Sequence, residues 1–109
     1  MRNVLSICLV AAMLHVAAAD PKKTCDPEKP ADAGRALLLK DKFADALKAF
    51  EESLACKDDP RIVTLALTAA CKGADAASAR KYYKLATDIK HRDKVVAHCL
   101  KNKIDPTKD

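Results

Sequence analysis

Aromatic residues are scarce in this chain, which has no Trp, two Phe and two Tyr among 109 residues. Its core must therefore rest on Leu, Ile, Val and closely packed Ala, because few large rings are available to fill space. Glycine is almost absent, with Gly34 and Gly73 the only two, and a glycine-rich phosphate loop is excluded. No C-x-x-C, C-x-x-C-H or H-x-x-x-H spacing occurs. His91 and His98 share a helical face beside Cys99, and Cys71 is a further cysteine, but no metal, haem or other cofactor is expected from such spacing. Beyond residue 19 serine is reduced to Ser53 and Ser78, neither with a partner histidine implied, so catalytic residues are not expected. No stretch shows the period-2 alternation of β-branched and polar residues that strands need, and the chain reads as all-α.

The one long apolar run lies at the start. Arg2 precedes Val4 to Val16, and Ala17-Ala18-Ala19 follows, which is the plan of a secretory leader cut before Asp20. The run is shorter than the roughly 20 apolar residues of a spanning helix, so stable membrane insertion after cleavage is not expected. Residues 1–19 are thus set apart, and the remainder reads as one small exported domain, periplasmic or secreted. Loss of Arg2 lowers the formal charge of +5 by one. The pI near 9.0 invites a polyanion partner. Lys and Asp are nevertheless interleaved along the helical stretches with no aromatic-basic cluster, which argues against nucleic acid.

Four cysteines remain after the leader: Cys25, Cys56, Cys71 and Cys99. An even number in an exported chain of this size points to two disulfides, with three possible connectivities.

Residues 20–30 hold Pro21, Pro27 and Pro30 without a period and read as an irregular arm. Helical stretches are expected at Ala31–Lys40, from Phe43 through Leu54, at Arg61–Lys72, from Ala76 through Ala86, and at His91–Lys103. Phe43, Ala46, Leu47, Phe50 and Leu54 follow the spacing of an amphipathic helix. Asp59 is placed to cap a helix whose first residue is Pro60, Gly73 to take the left-handed stop conformation, and Asp75 to cap the next helix. The last helix should turn Val95, Val96, Cys99, Leu100 and Ile104 toward the core. Asp105-Pro106 should end the order, leaving 105–109 as a disordered tail.

A pattern recurs at an offset of 33 residues: Ala44, Ala46, Lys48 and Phe50 fall on Ala77, Ala79, Lys81 and Tyr83. A period in the low thirties, with a small residue four places before an aromatic, marks stacked helical hairpins. Gly34, Ala46, Phe50 and Pro60 in a first unit, and Ala79 and Tyr83 in a second, resemble the tetratricopeptide repeat family over about residues 31–88. The run Ala97 to Ile104 is similar to the closing helix of small exported bacterial proteins of this type. Leu67 departs from the pattern, standing where the second unit would hold its small residue.

The resemblance implies a short stack of two antiparallel helical hairpins plus a C-terminal capping helix, together spanning 31–104. It implies a non-catalytic protein-interaction module whose first helices line a groove for a partner protein or peptide. Carried over by position, the groove residues would be Arg35, Leu38, Arg61, Thr64, Thr68 and Lys72, a cationic and hydroxyl set suited to an acidic ligand. So short an array could alternatively form a homodimer. In this arrangement the start of the first helix lies beside the end of the second, and the third and fifth helices run parallel. Cys25–Cys56 and Cys71–Cys99 are then the expected bridges. The competing reading is a small secreted disulfide-stabilised helical protein that binds an anionic surface or a small apolar ligand.

Overall fold

The computed structural model describes residues 25–108, so the leader and the first part of the arm lie outside the described residues. Five helices follow in order: α1 (Glu28–Leu39), α2 (Phe43–Cys56), α3 (Pro60–Lys72), α4 (Ala76–Leu85) and α5 (Ile89–Lys101). Among the described residues there is no strand, and the fold is all-α. Helix α1 packs on α2, α2 on α3, and α3 in turn on α4 and α5, which makes α3 the central element.

Local chemistry fixes the helix ends. Asp59 accepts from the Arg61 amide, Asp75 from Ser78 and Asp88 from His91, each satisfying a donor that the first helical turn leaves free. Helix α1 starts three residues earlier than its periodicity implied. Asp26 accepts from the Glu28 amide at 2.9 Å, and Pro30 falls inside the first turn, where its missing N–H removes no helical bond. Part of the supposed irregular arm is therefore helix.

The helix stops correct another expectation. Gly73 has φ −87°, and its neighbour Ala74 takes the left-handed conformation at φ 58°. Asp41 and Lys103 adopt the same geometry at φ 60° and 61°. At each stop the residue after the left-handed one donates back to a carbonyl five places earlier: Lys42 to Leu37, Asp75 to Ala70 and Ile104 to Cys99, all at 2.9 Å. The left-handed residue itself donates three places back, to Leu38, Cys71 and Leu100, completing a Schellman motif each time. Gly73 is small for a different reason. A Cβ there would come within 3.0 Å of both the Ala69 carbonyl and the Phe43 Cβ.

The core is built from Phe50, Leu67, Ile62 and Tyr82, set among closely packed Ala46, Ala66, Ala69, Ala70 and Ala79. Phe50 is fully buried, and its ring lies on Gly34 so tightly that a Cβ at that position would sit 2.5 Å from Cε1. A large ring against a bare backbone brings α1 and α2 together, and burying the ring contributes about 1.5–3 kcal/mol.

Two disulfides staple the ends. Cys25 joins Cys56 with Cα atoms 5.7 Å apart, and Cys71 joins Cys99 at 4.5 Å. The first ties the residues before α1 to the end of α2. There the buried Ser53 hydroxyl also donates to the Pro27 carbonyl at 2.7 Å. The second bridge is wholly buried and ties the C-terminal end of α5 to that of α3, helped by Asn102, whose amide donates to the Cys71 carbonyl at 2.9 Å. Two such bridges suit an oxidising compartment, periplasmic or extracellular. No helix among the described residues is long and apolar enough to cross a membrane.

Beyond α5 the chain packs back on the domain. Ile104 and Pro106 are buried, and Asp105 accepts from the Thr107 amide at 3.0 Å. The stretch expected to be a disordered tail is thus described as an ordered turn as far as Lys108. Leu100, expected to face the core, is instead 53% exposed.

Candidate functional site

Four of the six residues expected to bind lie along one helix. Arg61, Thr64, Thr68 and Lys72 recur at spacings of three and four on α3 and share a face. Arg61 and Lys72 are about 16 Å apart along the axis at the helical rise. Arg35 and Leu38 stand on α1, with Arg35 partly exposed and Leu38 half-buried against the core. The Cys25–Cys56 bridge ties the chain before α1 to the end of α2, four residues before Pro60, so the N-terminal ends of α1 and α3 lie at the same end of the molecule.

The electrostatics qualify this set. Arg35 pairs with Asp32 on its own helix at 3.0 Å. Arg61 grips Asp59 through two bonds, Nε to Oδ1 at 3.3 Å and Nη2 to Oδ2 at 3.0 Å. These side-chain bonds, and then the backbone bond from Arg61, hold the Asp59 carboxyl below its ordinary range. Arg61 is held in its charged form by the same partner. The hydroxyls of Thr64 and Thr68 donate to the Pro60 and Thr64 carbonyls at 3.2 and 2.9 Å, leaving their lone pairs as acceptors. Lys72 is exposed and makes no ion pair with a described residue. An incoming carboxylate would therefore meet Lys72 directly and would compete with Asp59 and Asp32 for the two arginines.

Two concave spaces among the described residues lie elsewhere. A cleft of about 710 Å³ opens between α2 and the α3–α4 connection, with Phe43, Leu47, Lys48 and Glu51 on one side and Gly73 and Asp75 on the other. A second, of about 430 Å³, is more apolar and is formed by Leu54, Val63, Tyr82 and Leu85 beside Asp58 and Asp59. Neither takes a lining residue from the six expected positions.

Glu51 lines the first cleft and accepts a 2.7 Å hydrogen bond from the phenol of Tyr82, which lines the second. Burial, then the bond to Glu51 and its charge, push the Tyr82 phenol well above the usual range. In the 33-residue pattern Tyr83 is the counterpart of the apolar-face residue Phe50. In the structure Tyr82 is the buried ring, and Tyr83 is half-buried beneath the Arg92 guanidinium, 4.5 Å from its centroid. Leu85 was the available signal for the second cleft, being an apolar residue off the face that carries Ala79, Tyr82 and Ala86.

Among the described residues no group of three or more His, Cys, Asp and Glu is placed to hold a metal. His91 instead pairs with Asp88 at 2.7 Å, and His98 is exposed on α5. Compared with known proteins, the chain matches no family model, no curated relative and no solved structure.

Proposed function

We propose that this chain is an exported, non-catalytic interaction module of the tetratricopeptide-repeat kind, holding an acidic partner protein or peptide along the faces of α1 and α3. The observation that carries the reading is a repetition of backbone punctuation. The left-handed stops at Asp41 and Ala74 are 33 residues apart, as are the starts of the following helices at Phe43 and Ala76. Each pair of helices thus closes through the same Schellman turn. Gly34 against Phe50 supplies the small-against-aromatic contact that such a unit uses.

The departure in the second unit has a physical reason. Leu67, equivalent to Gly34, is fully buried and leaves no bare backbone for a ring, so Tyr83, equivalent to Phe50, lies outward beneath Arg92. The leader-like N-terminus and the two disulfides support export. The α3 strip of Arg61, Thr64, Thr68 and Lys72 supports an acidic ligand through charge-assisted bonds.

The test is binding of acidic peptides, and capture from exported extract, by the mature domain and by an R61E/K72E variant. Reversal of the two α3 cations should weaken binding by roughly tenfold or more at low salt while helicity is unchanged. The comparison variant K42E/K57E changes the charge equally on other surfaces. If it lost as much, or if R61E/K72E bound normally, the groove reading would fail.

A further inference from the structure

The interleaving of basic and acidic residues holds for α1 to α4 but not for α5, where positive charge is concentrated. Residues 25–88 carry eleven basic and eleven acidic side chains, so the body of α1 to α4 is neutral. From Ile89 to Lys103 there are five bases, Lys90, Arg92, Lys94, Lys101 and Lys103, against Asp93 alone. Asp93, 3.2 Å from Arg92, is the one acid within α5, and Asp88 at its N-cap is engaged by His91.

Helical geometry sorts α5 into strips. Val95 and Cys99 are buried, with Arg92 and Val96 half-buried beside them. On the far side Lys90, Lys94 and Lys101 fall within about 40° of one another at 100° per residue, and all three are exposed. Beside them runs a mainly apolar strip, with Ile89 49% and Leu100 53% exposed and Ala97 also exposed, interrupted by the exposed Asp93, whose carboxylate pairs with Arg92. This face is the outer side of a single helix. Neither of these two clefts takes a lining residue from α5. No Phe, Tyr or Trp, the large rings on which nucleic-acid bases stack best, occurs after Tyr83.

We infer that the outer face of α5 docks on an anionic lipid surface, the lysine ammoniums resting among the headgroups and Ile89, Ala97 and Leu100 meeting the acyl boundary. A cationic strip edged by aliphatic side chains on the outer face of a helix is complementary to a flat anionic interface. The face is separate from the α3 strip, so the domain can lie on the membrane while α1 and α3 remain open.

The experiment is co-sedimentation of the full mature protein with phosphatidylcholine vesicles, with and without about a third phosphatidylglycerol. Binding should require the anionic lipid and weaken steeply with salt. K90Q/K94Q/K101Q should lower partitioning about a hundredfold, each lysine contributing about fivefold near an anionic surface. K29Q/K42Q/K57Q, with the same loss of charge from the neutral body, should lower it only slightly. I89S/L100S should weaken it severalfold and make what remains more salt-sensitive. R61E/K72E should bind vesicles at least as well as its loss of positive charge allows, which separates this face from the peptide strip. Circular dichroism and melting confirm folding of each variant. Equal losses in the two lysine triples, no preference for anionic lipid, or tighter binding to duplex DNA or polyglutamate than to vesicles at the same salt would overturn the inference.

Discussion

Replacing Gly34 with Ala sets two effects of opposite sign against each other. In a helix interior Ala is favoured over Gly by about 1 kcal/mol, so propensity alone predicts a more stable protein. The structure predicts the reverse. The new Cβ would lie 2.5, 2.7 and 2.9 Å from Cε1, Cδ1 and Cζ of Phe50, and the ring is fully buried with no exposed side to move into. Overpacking of this kind costs typically 1–3 kcal/mol, and three close carbons on an immobile ring put it at the upper end. The net effect expected for Gly34→Ala is destabilisation by about 1–2 kcal/mol, or roughly 5–15 °C in Tm for a domain of this size. Urea unfolding followed by far-UV circular dichroism, with disulfides intact, measures it. A double-mutant cycle isolates the cause, because Phe50→Leu should relieve the overlap and turn the effect of Gly34→Ala toward zero or stabilising. Stabilisation by Gly34→Ala in the wild-type background would refute the argument that ring-on-backbone contact holds α1 to α2.

Three further outcomes follow from the same structure. Ala74→Gly should stabilise by about 1 kcal/mol, because Ala74 holds a left-handed conformation that glycine adopts without steric cost; urea midpoints measure it. Since the Tyr82 phenol titrates higher in the folded state than unfolded, its contribution is complete below about pH 10 and is lost as pH rises beyond that. Stability measured from pH 8 to 11 should therefore fall at the alkaline end, and Tyr82→Phe should flatten the fall. Replacing Cys71 and Cys99 together by Ala opens a loop of about 30 residues and should cost about 3.5 kcal/mol, visible as a lower denaturation midpoint.

Much of the fold was legible because its punctuation is local. Asp59-Pro60 and Asp75 announce helix starts through chemistry that needs no distant partner, and the amphipathic spacing of Phe43 to Leu54 identifies a buried face. The two disulfides were legible only through the expected helix order. What escaped the sequence depends on neighbours far along the chain. Two adjacent tyrosines offer equal apolar faces, and Glu51, 31 residues away, selects Tyr82. Gly73 looked like the left-handed stop, yet the approach of Phe43 explains it and Ala74 carries the turn. Pro106 looked like an end to order because its burial is set by packing that no periodicity records. The candidate site was legible as a strip on α3. The ion pairs that engage Arg35 and Arg61 were visible only once rotamers placed Asp32 and Asp59 beside them.

The most direct test of the central claim is to map where an acidic peptide touches the domain. Isotope-labelled mature protein would be titrated with peptides ending in Asp or Glu while backbone amide resonances are followed. The account predicts saturable shifts concentrated at Arg35, Arg61, Thr64, Thr68 and Lys72, diminished in R61E/K72E. Shifts centred on either cleft or on α5, or none at millimolar peptide, would contradict it.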